Sequence, residues 1–285
     1  MRKTLASFLV FCALWSANCR QPALAEAKSG GDWQSLFNQG IDSGRKGDWD
    51  GAIENLKNAA DMEPAKSEIF TNLALAYAQK RDFENAALSA LKAVAIDPTR
   101  SNSYLALGIA YEGKGDFARA IKAYEQGGQQ DAKNADIFLT LGNLYGKQGN
   151  FDAAVTAYEK AIAANKSNLF AYSNLGYAYE EKGDRDKALE YFIKATQVDA
   201  NDATAWYDLG AAYGKQGNHD KAIECYERSH RLNPKLYKVC LSLALAYEDD
   251  NDPQKASAYY MKALALTEDS KLKEAILRQL SRLRQ

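Results

Sequence analysis

The chain has 285 residues with 36 Lys plus Arg against 37 Asp plus Glu, a formal charge of −1, and 46% of its side chains are hydrophobic. That balance, with no basic stripe, argues against a general nucleic-acid binder. Two histidines in the whole chain leave little from which to build a metal centre.

Residues 1–25 read as a secretory signal peptide. Arg2 and Lys3 supply positive charge, Leu5 to Ala17 form a short apolar run, and Ala23-Leu24-Ala25 is a small-x-small cleavage signal before Glu26. The run is about 13 residues where a spanning helix needs ~20, which argues against an uncleaved anchor. A third reading is acylation at Cys19, but Ser16-Ala17-Asn18 makes a poor lipobox because Asn precedes the cysteine. Cleavage after Ala25 is expected, which places the mature protein in the periplasm or outside the cell, without membrane insertion. Removing Arg2, Lys3 and Arg20 leaves 33 Lys plus Arg against 37 Asp plus Glu, a formal charge of −4. Residues 26–32 contain Ser29-Gly30-Gly31 and form a flexible lead-in, with Asp32 placed to cap the first helix.

From Trp33 the sequence repeats every 34 residues, in seven frames without insertion: 33–66, 67–100, 101–134, 135–168, 169–202, 203–236 and 237–270. Position 20 is Ala in all seven, from Ala52 to Ala256, and position 8 is Gly or Ala: Gly40, Ala74, Gly108, Gly142, Gly176, Gly210 and Ala244. Position 27 is small throughout, with Gly127 and Ser229 as variants on Ala. In the frame 203–236, Trp206, Leu209, Gly210, Tyr213, Gly217, Ala222, Tyr226 and Pro234 stand at positions 4, 7, 8, 11, 15, 20, 24 and 32. This spacing resembles the tetratricopeptide repeat (TPR), a helix–turn–helix unit. The resemblance covers residues 33–270 and implies an all-α, right-handed superhelical solenoid. It also implies a non-enzymatic scaffold that binds peptides or partner proteins in its concave groove. The rival is an architectural subunit of an envelope assembly or secretion complex, binding through its convex face or ends.

Each repeat should place helix A at positions 1–14 and helix B at about 17–30. A mid-helix Gly costs about 1 kcal/mol against Ala, so five glycines in register at position 8 imply close helix–helix approach. Position 16 is Asp or Asn in every frame and can cap helix B. Position 15 is Gly except at Arg81 and Asn251, which suits a left-handed residue closing helix A. Gly127 and Gly128 together predict a soft joint in repeat 3, where Gly128→Ala should stabilise. Residues 271–285 read as an amphipathic capping helix, with Leu272, Ile276, Leu280 and Leu283 on one face; a membrane-surface or partner helix is the rival.

No catalytic set, cofactor site or metal site emerges. His219 takes the place of the aromatic residues Trp49, Phe83, Phe117 and Phe151 at position 17 and reads as a packing substitute. His230 has no second ligand on its face. Cys225 and Cys240 leave two readings, a badly aligned bridge about 3 residues (~4 Å) out of level or two separate buried thiols. In the family, positions 2, 5, 9 and 12 of helix A line the groove. The residues placed there or beside it are Leu105, Ile109, Leu139, Asn143, Asn174, Tyr177 and Tyr207. The family's carboxylate clamp of Lys, Asn, Asn, Lys and Arg maps onto Leu139, Asn143, Asn174, Thr204 and Asp208, so its three cations are missing and Asp208 would repel a free C-terminus. Asn38 and Asn72 share position 6 with Asn174, which resembles the asparagine ladder of some peptide-binding arrays in the family. The expected ligand is an extended protein or peptide segment gripped by its backbone and by apolar or aromatic side chains.

Overall fold

A computed structural model describes residues 33–283, and every regular element among them is an α-helix. The signal peptide, the 26–32 lead-in and the Asp32 cap lie outside the described residues. The A and B helices of the seven repeats are α1 (Trp33–Arg45) and α2 (Trp49–Met62), α3 (Ser67–Gln79) and α4 (Phe83–Ile96), α5 (Ser101–Gly113) and α6 (Phe117–Gln130), α7 (Ala135–Lys147) and α8 (Phe151–Ala164), α9 (Leu169–Glu181) and α10 (Arg185–Val198), α11 (Ala203–Lys215) and α12 (His219–Leu232), then α13 (Tyr237–Asp249) and α14 (Pro253–Leu266). The capping helix is α15 (Ser270–Arg282). Every A helix starts at position 1 of its frame and every B helix at position 17. The described residues gather into two compact units, 33–148 with 163–165, and 149–162 with 166–283.

The turn between paired helices follows from two residues. Position 15 has positive φ in all seven repeats: five glycines between 76° and 82°, Arg81 at 62° and Asn251 at 56°. That left-handed residue lets the next amide fold back on helix A. In repeat 3 the Asp116 N–H donates to the Tyr111 carbonyl at 2.9 Å and the Gly115 N–H to the Glu112 carbonyl at 3.0 Å, a Schellman closure. The position 16 side chain then accepts from the amide three residues on, as Asp116 does from Arg119 at 3.0 Å and Asn218 from Lys221 at 3.2 Å. In repeat 7 Pro253 follows at the first turn of α14, where no amide is needed.

Packing within a repeat is set by size at two facing positions. A Cβ built on Gly108 would stand 2.3 Å from the Tyr124 ring, and one on Gly210 would stand 2.7 Å from Tyr226. Gly176 meets Phe192, and Gly40 meets Leu56, in the same way. In these four repeats the missing methyl at position 8 is the space that the large side chain at position 24 fills, whereas repeat 7 buries Tyr260 beside Ala244. Repeat 2 makes the opposite choice, with Ala74 at position 8 and Ala90 at position 24, both buried. The alanines at position 20 are all buried, and Ser229 keeps its place at position 27 by donating its hydroxyl to the Ala203 carbonyl at 2.6 Å.

The surroundings of Gly127 and Gly128 argue against a soft joint. Helix α6 runs unbroken through both, and both are buried. A Cβ on Gly127 would lie 2.8 Å from Ile137 Cδ1 and 3.0 Å from Tyr104 Cβ, and one on Gly128 would lie 2.8 Å from the Phe138 ring. The glycines are there because α7 and α5 come too close for a methyl. The capping helix seats Ile276 and Leu280 in a core with Val239, Leu243 and Tyr260, with Leu272 and Leu283 packed against it. Asp269 caps it at the amides of Lys271 and Leu272.

Two substitutions probe this packing. Gly128→Ala should destabilise, by about 1 kcal/mol in urea unfolding, because overpacking of typically 1–3 kcal/mol outweighs the helix-propensity gain of about 1 kcal/mol; a stabilised variant would restore the soft joint. Arg81→Gly should raise stability by about 0.5–1 kcal/mol, since a left-handed backbone costs an ordinary residue about 1–2 kcal/mol and glycine almost nothing; an unchanged midpoint would show that the turn carries no strain.

Candidate functional site

The A helices present the face on which the sequence places the binding residues. Three of those residues are not on an open surface. Leu105, Ile109 and Leu139 are only 4%, 3% and 3% exposed. Hydrogen bonds between successive A helices show why such positions bury. In the first unit Thr71, at position 5 of repeat 2, pairs its hydroxyl with Ser103, at position 3 of repeat 3, at 2.8 Å. In the second unit the Tyr177 hydroxyl, from position 9 of repeat 5, donates to the Asp208 carboxylate at position 6 of repeat 6. Positions 5 and 9 therefore face the next A helix first and the surface second. The position 6 ladder is also reduced, because Asn72 is buried and donates to the Glu68 carbonyl of its own helix at 2.9 Å.

Asn143 stands half-buried on α7 in the first unit. The second unit holds Asn174, Tyr177 and Tyr207, all half-buried. Tyr177 lies edge-on against Phe192 with ring centroids 5.1 Å apart, and its hydroxyl bond reaches an Asp208 that is itself buried. Asp208 is thus tied inside the array and does not stand in the groove as a repelling charge. Tyr207 rests on Tyr226 at 5.7 Å, and burial, then Tyr207, push the Tyr226 phenol up to about 12. Side chains that the neighbouring helix does not cover follow along the same face. Phe170, at position 2 of repeat 5, is exposed, as is Leu245 at position 9 of repeat 7, with Leu241 half-buried beside it. Sequence reasoning passes over Phe170, although an aromatic residue at position 2 of the frame is the signal that marks it. At the end of this face Leu241 and Leu245 of α13, with Leu272 and Ala275 of α15, bound a cavity of about 480 Å³.

The remaining chemistry is quiet. Cys225 and Cys240 are free buried thiols. The fold brings Cys240 Sγ to 3.7 Å from His230 Nδ1, a pair from different repeats that spacing along the chain does not reveal. Burial raises both thiols, Cys225 to about 11, while burial and then Lys262 hold His230 below its ordinary value. Both partners are therefore neutral near pH 7, and the contact is a weak thiol–imidazole bond rather than a reactive ion pair. His219 is exposed at the start of α12, as its counterpart Phe117 is at the start of α6, while Trp49, Phe83 and Phe151 are half-buried. No group of three His, Cys, Asp or Glu among the described residues is placed to hold a metal, and no helix among them is long and apolar enough to cross a membrane.

Models of the tetratricopeptide repeat match residues 37–101 and 139–197, 203–236, and 237–270, and a TPR repeat model matches 114–149 and 178–217. Among solved structures the chain is similar to MamA, at 30% identity over 60% of this chain and 97% of that one, with a TM-score of 0.52. It shares its fold with pilF of Pseudomonas aeruginosa, at 19% identity over 75% of this chain and 97% of that one and a TM-score of 0.63. It also shares its fold with YrrB, described as a TPR protein with an unusual peptide-binding site, at 23% identity over 70% of this chain and 100% of that one and a TM-score of 0.52. No curated protein matches the chain. The repeat models together span residues 37–101 and 114–270, over the helix pairs and turns described above, and the chain belongs to the tetratricopeptide repeat family.

Proposed function

We propose that the chain is a non-enzymatic scaffold of the cell envelope that holds an extended peptide, or a segment of a partner protein, against the A-helix face of its repeats, the concave groove in this family. Proteins of the tetratricopeptide repeat family mediate protein–protein interactions, which is the general part of the reading. The observation that carries the specific part is a set of apolar and aromatic side chains on the A helices of the second unit, with Phe170 and Leu245 exposed and Tyr207 and Leu241 half-buried. Apolar surface left open in one contiguous face marks an interaction site. Asn174 adds an amide that can bond a peptide backbone in both directions. The envelope part rests on the charged start, apolar run and cleavage signal of residues 1–25.

The architectural reading has its own support. Leu88 and Leu91 on α4, a B helix, are 59% and 45% exposed, which offers the opposite face a small apolar contact.

Capture of partners from the native envelope by the mature protein separates the two. Tyr207→Ala and Asn174→Ala should each weaken capture by about tenfold, the loss of roughly 1.4 kcal/mol, with helical circular dichroism unchanged. If both bind normally and Leu88→Ser with Leu91→Ser abolishes capture, the architectural reading replaces the groove. Tyr177 is a different kind of position. Tyr177→Phe removes a hydrogen bond to a buried carboxyl group and should cost about 1–3 kcal/mol of stability, read as a lower urea midpoint; an unchanged midpoint would show that the Asp208 contact is not structural.

A further inference from the structure

We infer that the cavity between α13 and α15 receives an acidic peptide segment, seating an aliphatic or aromatic side chain and pairing its carboxylates with Arg278 and Arg282. The inference rests on the A-helix face being the binding face, since Leu241 and Leu245 hold positions 5 and 9 of repeat 7 there. At about 480 Å³ the cavity falls within the range of small-ligand and side-chain pockets. Its walls are Leu241, Leu245, Leu272 and Ala275, and its floor includes Tyr260 and Ile276. One wall is open, because Leu245 is 45% exposed.

The charge at the cavity supplies the chemistry of the occupant. Helix α15 carries Lys271, Lys273, Arg278 and Arg282 against Glu274 alone, on a chain whose total charge is −1. At four junctions of the array a lysine is tied to a carboxylate of the preceding repeat: Lys80 to Asp50, Lys114 to Glu84, Lys182 to Asp152, and Lys215 to Glu180 at 2.7 Å. Arg278 and Arg282 line the cavity. No carboxylate among the described residues lies within ion-pair distance of either. Arg282 donates to the neutral Gln279 amide oxygen at 2.9 Å, and Glu248, beside Tyr260, accepts from the Tyr260 hydroxyl at 2.8 Å instead. Two exposed guanidiniums at the rim of an apolar cavity, each a forked donor suited to carboxylates, fit an acidic partner with an apolar anchor. A membrane surface fits less well. The apolar stripe of α15 is already spent on the core through Ile276 and Leu280, and only Leu277 points away from it exposed.

The test uses the full chain and a fluorescent synthetic peptide of alternating Asp and Glu around a central Leu-Phe pair, read by anisotropy. Binding should weaken as salt is raised. Arg278→Glu with Arg282→Glu should weaken it about tenfold or more; both side chains are exposed, so circular dichroism should show an intact fold. Replacing the Leu-Phe pair by Ser should cause a similar loss. Equal binding by the charge-reversed variant, equal binding of a peptide with Lys in place of the acids, or preference for phosphatidylglycerol vesicles over the peptide would each overturn the inference. Tyr207→Ala separates it from the reading it rests on. Loss of peptide binding on Tyr207→Ala but not on arginine reversal leaves the face and removes the cavity. Loss on arginine reversal alone leaves the cavity and removes the wider face.

Discussion

The structure depends on how closely two helices of one repeat can approach. The distance is set where position 8 of helix A meets position 24 of helix B. Gly108 has no methyl to keep the Tyr124 ring away, and the ring is fully buried as a result. A buried phenol still needs a partner, and Tyr124 donates to Glu112 at 3.2 Å, one turn along helix A. Glycine costs about 1 kcal/mol of helix stability, and burying an aromatic ring offsets that with about 1.5–3 kcal/mol. The same logic explains the alanines at position 20 and the small residues at position 27, where a larger side chain would separate helices that have no other core.

Contacts between neighbouring repeats then decide what is left for binding. An A helix has a limited set of faces, and the next A helix claims part of the one assigned to ligand. Thr71 with Ser103, and Tyr177 with Asp208, show that positions 5 and 9 serve this seam. Only side chains too large, or placed too near an end, to be covered remain available. Tyr207, Phe170 and Leu245 are of that kind. The most exposed of them, Phe170 and Leu245, are apolar.

The charge pattern runs along a different line. Lysines at position 14 reach acids at position 18 of the preceding repeat, as Lys80 reaches Asp50 and Lys114 reaches Glu84. These pairs are partly exposed, so each adds little to stability, but together they neutralise the flank of the array. The periodicity ends with the last repeat. The capping helix has to match the exposed core of repeat 7 on one side only, and its outer side is free to carry a charge of opposite sign to the chain as a whole.

The sequence by itself determined the repeat length, the helix pairs and the turns, because these depend on interactions within about four residues. A left-handed residue at position 15 and a cap at position 16 act locally, and a 34-residue frame carries them through Arg81 and Asn251, where glycine is absent. The capping helix was legible for the same reason, since its stripe has one period and one core to cover. What the tertiary structure decided was burial at positions that face another helix. Leu105, Ile109 and Leu139 read as groove residues in the frame but fill space inside the array. Gly127 and Gly128 read as weak helix, yet Ile137 and Phe138 stand so close that an added methyl would force them to shift. Asp208 read as a free acid and is held by Tyr177 from a repeat away, and Cys240 meets His230 only because two helices fold together. Each of these turns on distances between segments far apart in the chain, which depend on the packed volume of every side chain between them and leave no periodic mark in the sequence.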